Sequence, residues 1–350
     1  ERWRAAFLCK ELKLEEARQT LLEIVKRDPG NPDELQLFRR ALEALQEPRP
    51  PELIDRLLKL AADANQPEDL RGAALDALDR YPDAPRDRLA DILIGLLEDP
   101  GTTDTLRKEA AVSLRSFSGD RVWQALEKVL LSEDGGDGVL QRNCLRSLGE
   151  TLPLDRLKQL LLDRRVYRNP YFGVRVDVAT GLALLNVREG ITLDIMCDYL
   201  VDEDPKDRDH SVRREGYLTL WVLTGTAYGV PEQELFRFQP RPVVDVSHIR
   251  HDLFRWGPNR TPTVTTQQVQ AVTRIVGDLA LMQKARHTYG QTLKPQILAK
   301  WQEEAEKAQK PEEPAKPPAV GPQPPKPGDD DEGKKEGPGN QTGEKPSDGK

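Results

Sequence analysis

Six segments of this chain share one pattern, and that repetition constrains the fold more than any other feature. They begin at Leu37, Leu70, Leu106, Leu140, Val174 and Val212 and read LFRRALEAL, LRGAALDAL, LRKEAAVSL, LQRNCLRSL, VRVDVATGL and VRREGYLTL. Each opens on an aliphatic residue and carries Leu eight positions later. The fourth position after the opening (+4) is Ala41, Ala74, Ala110, Cys144, Val178 or Gly216, mostly small. Position +1 is Arg71, Arg107, Arg175 or Arg213 in four segments, with Phe38 and Gln141 in the others. Successive openings lie 33, 36, 34, 34 and 38 residues apart. Positions 0, +4 and +8 share one helical face, so each segment reads as an amphipathic helix whose small centre permits close packing.

An apolar-periodic stretch precedes every segment: LEEARQTLLEIVKR, PELIDRLLKLAADA, RDRLADILIGLLED, DRVWQALEKVLLSE, LDRLKQLLLDRR and ITLDIMCDYLVDE. Turn-rich stretches such as Asp28-Pro29-Gly30-Asn31-Pro32 and Asp99-Pro100-Gly101 separate the two, stopping one helix and capping the next. The unit is helix, turn, helix, repeated six times between about residues 14 and 225. The expected fold class is all-α, an α-solenoid with a C-terminal helical cap and a disordered tail.

The acidic turn followed by aliphatic-Arg-x-x-small on the second helix resembles the HEAT-repeat family, in a short bacterial-type form, over the first two thirds of the chain. The resemblance implies that the second helices line a concave surface. It also implies a ladder in which a turn Asp meets the helix Arg of a neighbouring repeat, placing Arg71, Arg107, Arg175 and Arg213 in it, with Gln141 breaking the register. The unit is shorter than the usual HEAT unit and matches the tetratricopeptide period. The Trp, Gly-Tyr and terminal Pro of that family are missing from most units, so the HEAT-like reading is favoured. Leu223-Thr-Gly-Thr-Ala-Tyr-Gly229 resembles the ending of the last repeat in many bacterial HEAT proteins, with Phe236 and Phe238 the nearest match to the paired Trp that often follows.

Residues 1–13 read as a lone second helix, a partial repeat whose Trp3, Phe7 and Leu8 would be exposed. With no initial Met, this suggests a fragment of a longer array. The repeats occupy 14–229. Residues 230–309 read as an irregular Pro-punctuated segment followed by capping helices over about 266–287, ended by Tyr289-Gly290, and 293–309. Residues 310–350 are Pro, Gly and charged residues, too poor in apolar side chains to offset the entropy of ordering.

Aromatics make up only 5% of the chain and charged residues 32%, which suits a thin aliphatic core between stacked helices. A net charge of −7 argues against a chain built to coat nucleic acid, making such a partner unlikely on charge. Cys9, Cys144 and Cys197 lie far apart, with no CxxC. Unpaired cysteines lean towards the cytoplasm, while an exported parent with its signal removed remains open. No run approaches the roughly eighteen apolar residues of a membrane span.

Catalytic signatures are missing. There is no GxSxG, HExxH or P-loop, and none of the His-Glu pairs of the di-iron HEAT hydroxylases. The best metal-like cluster is His248, His251 and Asp252, where two His three residues apart can meet on one helical turn; with no third ligand assignable, an ordinary polar loop is the favoured reading and no metal is expected. The expectation is therefore a non-enzymatic scaffold without cofactor, whose concave face binds a protein or peptide. Arg142, Arg146 and Arg214, off the ladder register, are the expected binding residues. Alternatives are a binding module of a larger multidomain enzyme, or a nucleic-acid binder using the Arg-rich second helices.

Overall fold

A computed structural model describes residues 2–11, 15–45, 50–132, 137–229 and 266–309, and all regular structure among them is helical. The first helix is α1 (Arg2–Glu11). Five pairs follow: α2 (Arg18–Val25) with α3 (Pro32–Ala44), α4 (Pro51–Ala62) with α5 (Glu68–Arg80), α6 (Arg86–Glu98) with α7 (Asp104–Ser113), α8 (Asp120–Leu130) with α9 (Gly138–Thr151), and α10 (Leu154–Leu161) plus the single turn α11 (Arg164–Tyr167) with α12 (Phe172–Leu184). The sixth pair is α13 (Gly190–Tyr199) with α14 (Ser211–Thr224), and α15 (Thr266–Ile275), α16 (Leu279–His287) and α17 (Lys294–Gln309) complete the described helices.

Short polar side chains start several of these helices. Asn31 Oδ1 accepts from the Glu34 amide at 2.9 Å ahead of Pro32, and Asp137 and Asp278 cap α9 and α16 in the same way. Gly225, at φ 75°, takes the left-handed conformation that ends α14.

Each second helix packs on its own first helix and on the second helices before and after it, through α1, α3, α5, α7, α9, α12 and α14. First helices likewise touch in sequence, α4 to α6 to α8. The shared core is the aliphatic set of the sequence pattern: Leu37, Leu70, Leu106, Leu140, Val174 and Val212 are buried, and so are Ala41, Ala74, Ala110, Cys144 and Val178. Close approach explains the small residues. A Cβ on Gly216 would lie 2.8 Å from Cβ of Tyr199 in α13, and one on Gly181 2.8 Å from a methyl of Leu161 in α10.

A second small position recurs at +7: Ala44, Ala77, Ser113, Ser147, Gly181 and Thr219. It carries polar stitching between pairs. Ser147 Oγ donates to the Ala111 carbonyl at 2.6 Å, and Thr219 Oγ1 to the Ala179 carbonyl at 2.9 Å. Both run from +7 of one second helix to +5 of the preceding one.

The C-terminal helices depart from their expected boundaries. The helix expected over 266–287 is broken at Gly277-Asp278, because Asp278 caps a new helix there. Tyr289-Gly290 does not end it; a π-helical turn, Thr288–Leu293, carries the chain directly into α17. That turn buries Tyr289, whose hydroxyl donates to the Thr226 carbonyl and accepts from the Tyr228 amide. Trp301 Nε1 donates to the Leu223 carbonyl at 3.1 Å, fixing α17 on the end of α14. Chain residues through Glu303 belong to one compact unit. No helix among the described residues is long and apolar enough to cross a membrane. The expected tail from 310 lies outside the described residues.

Candidate binding face on the second helices

The +1 residues do a different job from the one the ladder assigns them. Arg71 Nε donates to the Ala61 carbonyl at 3.2 Å and Arg107 Nε to Leu97 at 3.1 Å. Both acceptors are in the last turn of the first helix of the same pair, where carbonyls lack helical partners. Gln141 continues this row: its Nε2 donates to the carbonyls of Leu130 and Ser132, each at 3.2 Å. The position requires a long donor, not a charge, so Gln141 is no break in the register. Arg213 donates to the carbonyls of Asp202 and Val276. Arg175 is the one that reaches a following turn as a ladder residue would, with Nη2 3.2 Å from Asp202 and 2.9 Å from Asp204.

Links between neighbouring pairs come mainly from other residues. On the first helices a cation meets an acid on the helix before it: Arg88 with Asp55, Arg121 with Asp91, Lys128 with Glu98, Arg156 with Asp120 and Glu127. On the second helices the direction reverses, and the cation at +2 reaches forward. Arg39 donates to the Asp69 carbonyl at 3.2 Å, Lys108 pairs with Asp137, and Arg142 with Asp177.

Arg142 and Arg146 therefore differ from their expected role as available binding residues. Arg142 is buried, and its Nε and Nη2 each lie 2.8 Å from an oxygen of Asp177. Arg146 reaches the same carboxylate at 2.8 and 3.2 Å. Two guanidiniums share one carboxylate that is only 5% exposed, which makes them a joint between α9 and α12. Arg214 is partly buried beside its neighbour Glu215, at 3.1 Å.

Between α3 and α5 lies a cleft of about 380 Å³ whose lining includes Gln36, Arg39, Arg40, Glu43, Asp76 and Asp79. Arg40 pairs with Glu43 at 2.8 Å and lies 5.6 Å over the Phe7 ring. One helix further on, Glu109 of α7 lays its carboxylate over Gly72 of α5, so close that a Cβ there would be 3.0 Å from Oε2. Loss of solvent at that contact, and then the nearby Asp76, hold the Glu109 carboxyl above the usual carboxylate range.

His248, His251 and Asp252 lie outside the described residues. Among the described residues no three His, Cys, Asp or Glu side chains come together as a metal-binding set. Cys144 and Cys197 are buried, and burial pushes both thiols up to about 12, so neither is a ready nucleophile. Comparison of the chain with family models, characterised proteins and solved structures finds no match.

Proposed function

We propose that this chain is a HEAT-like α-solenoid acting as a non-catalytic scaffold, with the second-helix face receiving a segment of a protein partner. The repeated helical pairs, each second helix stacked on the next, support the solenoid reading. The observation that carries the binding reading is the cleft between α3 and α5, where Arg39, Arg40, Asp76 and Asp79 present both signs of charge to solvent space. Asp76 and Asp79 are exposed there and, among the described residues, make no side-chain ion pair, whereas Asp55, Asp91, Glu98 and Glu127 on the first helices each meet a cation of the next first helix. The binding residues thus move from Arg142 and Arg146, which hold the protein together, towards the N-terminal pairs.

The test compares the partners cross-linked by wild type with those of Arg39→Glu/Asp79→Lys, altered in the cleft, and Asp55→Lys/Asp91→Lys, altered on the first helices. Loss of a partner with the first variant alone, at unchanged helicity, supports the reading. Identical partner sets for all three would overturn it.

A further inference from the structure

The α1 helix carries the repeat pattern in register. Residues 1–9 read ERWRAAFLC, beside LRKEAAVSL of the α7 segment, and open 36 residues before Leu37. This puts Arg2 at +1, Ala5 at +4, Ala6 at +5 and Leu8 at +7, with Glu1 and Cys9 standing where the other segments have an aliphatic residue and Leu. The side that faces the next second helix follows the pattern. Ala6 is buried, as +5 is in all six other second helices, and α1 packs on α3.

The other side of α1 departs from it. Position +4 is buried in every other second helix, and +7 in all but α7, where Ser113 is half-buried. In α1, Ala5 is exposed and Leu8 is 54% exposed. What covers these positions elsewhere is the first helix of the pair: a Cβ on Gly216 at +4 would meet Tyr199 of α13, and one on Gly181 at +7 would meet Leu161 of α10. The first helix also supplies the acceptor for +1. Arg71, Arg107 and Gln141 donate to carbonyls at the ends of α4, α6 and α8. Arg2 is exposed and, among the described residues, has no hydrogen bond or ion pair. No first helix among the described residues packs along α1.

We propose that this side of α1 is a docking site for an amphipathic helix of a partner protein, lying where a first helix lies in the other pairs and ending at Arg2. The fold specifies the chemistry of that helix. An apolar stripe of Leu or Ile at helical spacing meets Leu8 and Ala5, whose small side chain permits the close approach seen at Gly216. Carbonyls of its last turn lack helical partners and carry the negative end of the helix dipole, and Arg2 supplies the matching donor and charge. A second copy of the chain has no such helix to give among its described residues, since its first helices from α2 to α13 are engaged in their own pairs. This surface is separate from the α3–α5 cleft, and either reading can fail without the other.

The probe is a fluorescein-labelled peptide with the sequence of α6, Arg86–Glu98, held helical by a lactam bridge on its exposed side, with its scrambled counterpart as the control. In fluorescence anisotropy, wild type should bind the α6 peptide and not the scrambled one. Arg2→Ala should weaken binding roughly ten-fold, the scale of one charge-assisted hydrogen bond. Arg2→Gln should keep most of it, since Gln141 does the same work at +1. Ala5→Arg should abolish binding without lowering the melting temperature, because +4 is exposed in this helix alone. Equal binding by wild type and Ala5→Arg overturns the proposal, and so does a wild type that ignores the α6 peptide. A lowered melting temperature in Ala5→Arg overturns it too, by showing the face already covered. So does a wild-type dimer, seen in sedimentation, that Leu8→Glu dissolves, since that result gives the face to a second copy.

Discussion

Arg142 meets Asp177 edge-on, its Nε and Nη2 each 2.8 Å from a different carboxylate oxygen, and Arg146 closes on the same group from one helical turn away. An acid only 5% exposed, holding two guanidiniums, is a point where removing one member leaves the others stranded. Asp177→Ala should cost about 3–5 kcal/mol, the usual penalty for orphaning buried charge. Arg146→Ala should cost less, since that side chain is 19% exposed against 8% for Arg142. Urea unfolding of the two variants gives the comparison, and an Asp177→Ala cost below that of Arg146→Ala would contradict it.

The helical register is tested at Ala110. It is fully buried at +4 of α7, which packs on α6 and α9, and its next-door carbonyl at Ala111 takes the Ser147 hydroxyl. Ala110→Arg places an unpaired charge in that contact and should cost several kcal/mol, on the order of 3 or more. A thermal melt unchanged by the substitution would mean that the face is wrongly assigned.

Gln141 distinguishes the capping role from the ladder role. Its Nε2 satisfies two carbonyls at the end of α8, and its Oε1 accepts from Asn169 Nδ2 at 3.1 Å. Gln141→Leu keeps the bulk and strands all three groups, so it should destabilise by about 1–3 kcal/mol. If charge were the requirement at this position, Gln141→Arg would stabilise the protein; the structure predicts no gain, because Asn169 would lose its acceptor. Denaturant midpoints of the two variants separate the alternatives.

The pairing of helices, the buried aliphatic face and the small +4 position were legible because each follows from a 3.6-residue period that no tertiary contact has to supply. What the Arg residues do was not legible in the same way. A guanidinium at +1 has the same sequence signature whether it bonds a carbonyl or a neighbouring Asp, so Arg71 and Arg107 read as ladder members and Gln141 as an exception. Arg142 and Arg146 read as available because their acceptor, Asp177, is more than thirty residues away. The small residues at +7, by contrast, stand in the alignment of the six segments, and Ser147 and Thr219 there could have signalled inter-pair hydroxyl bonds.

Glu109 also makes a prediction about pH that does not depend on any partner. Its carboxyl is held above its ordinary value of 4.5, so the folded protein binds this proton more tightly than the unfolded chain does. Ionised Glu109 therefore opposes folding at neutral pH, and that opposition disappears as pH falls below the ordinary value. Glu109→Gln should raise the melting temperature at pH 7 and make no difference near pH 3. A variant that melts lower than wild type at pH 7 would show that the carboxylate is stabilised by an unseen neighbour.

At the alkaline end the buried thiols set the direction. Burial pushes Cys144 and Cys197 from 9.0 up to about 12, and it raises Tyr199, Tyr217 and Tyr289 as well. In an unfolded chain the thiols lose their protons near 9.0, while the folded protein keeps them. The unfolded state thus binds fewer protons between those values, and stability must fall as pH rises through that window. Each buried thiol contributes at most about 1.4 kcal/mol per pH unit, the equivalent of one proton. Urea midpoints should hold steady up to about pH 8 and then decline towards pH 11. Replacing both buried cysteines by Ala should flatten the early part of that decline, leaving the tyrosines to act above pH 10. Iodoacetamide adds an independent reading, since half-buried Cys9 should be alkylated in the native protein well before Cys144. Equal labelling of Cys9 and Cys144 at pH 8, or a midpoint that stays level to pH 11, would show that the second helices open far more readily than their packing implies.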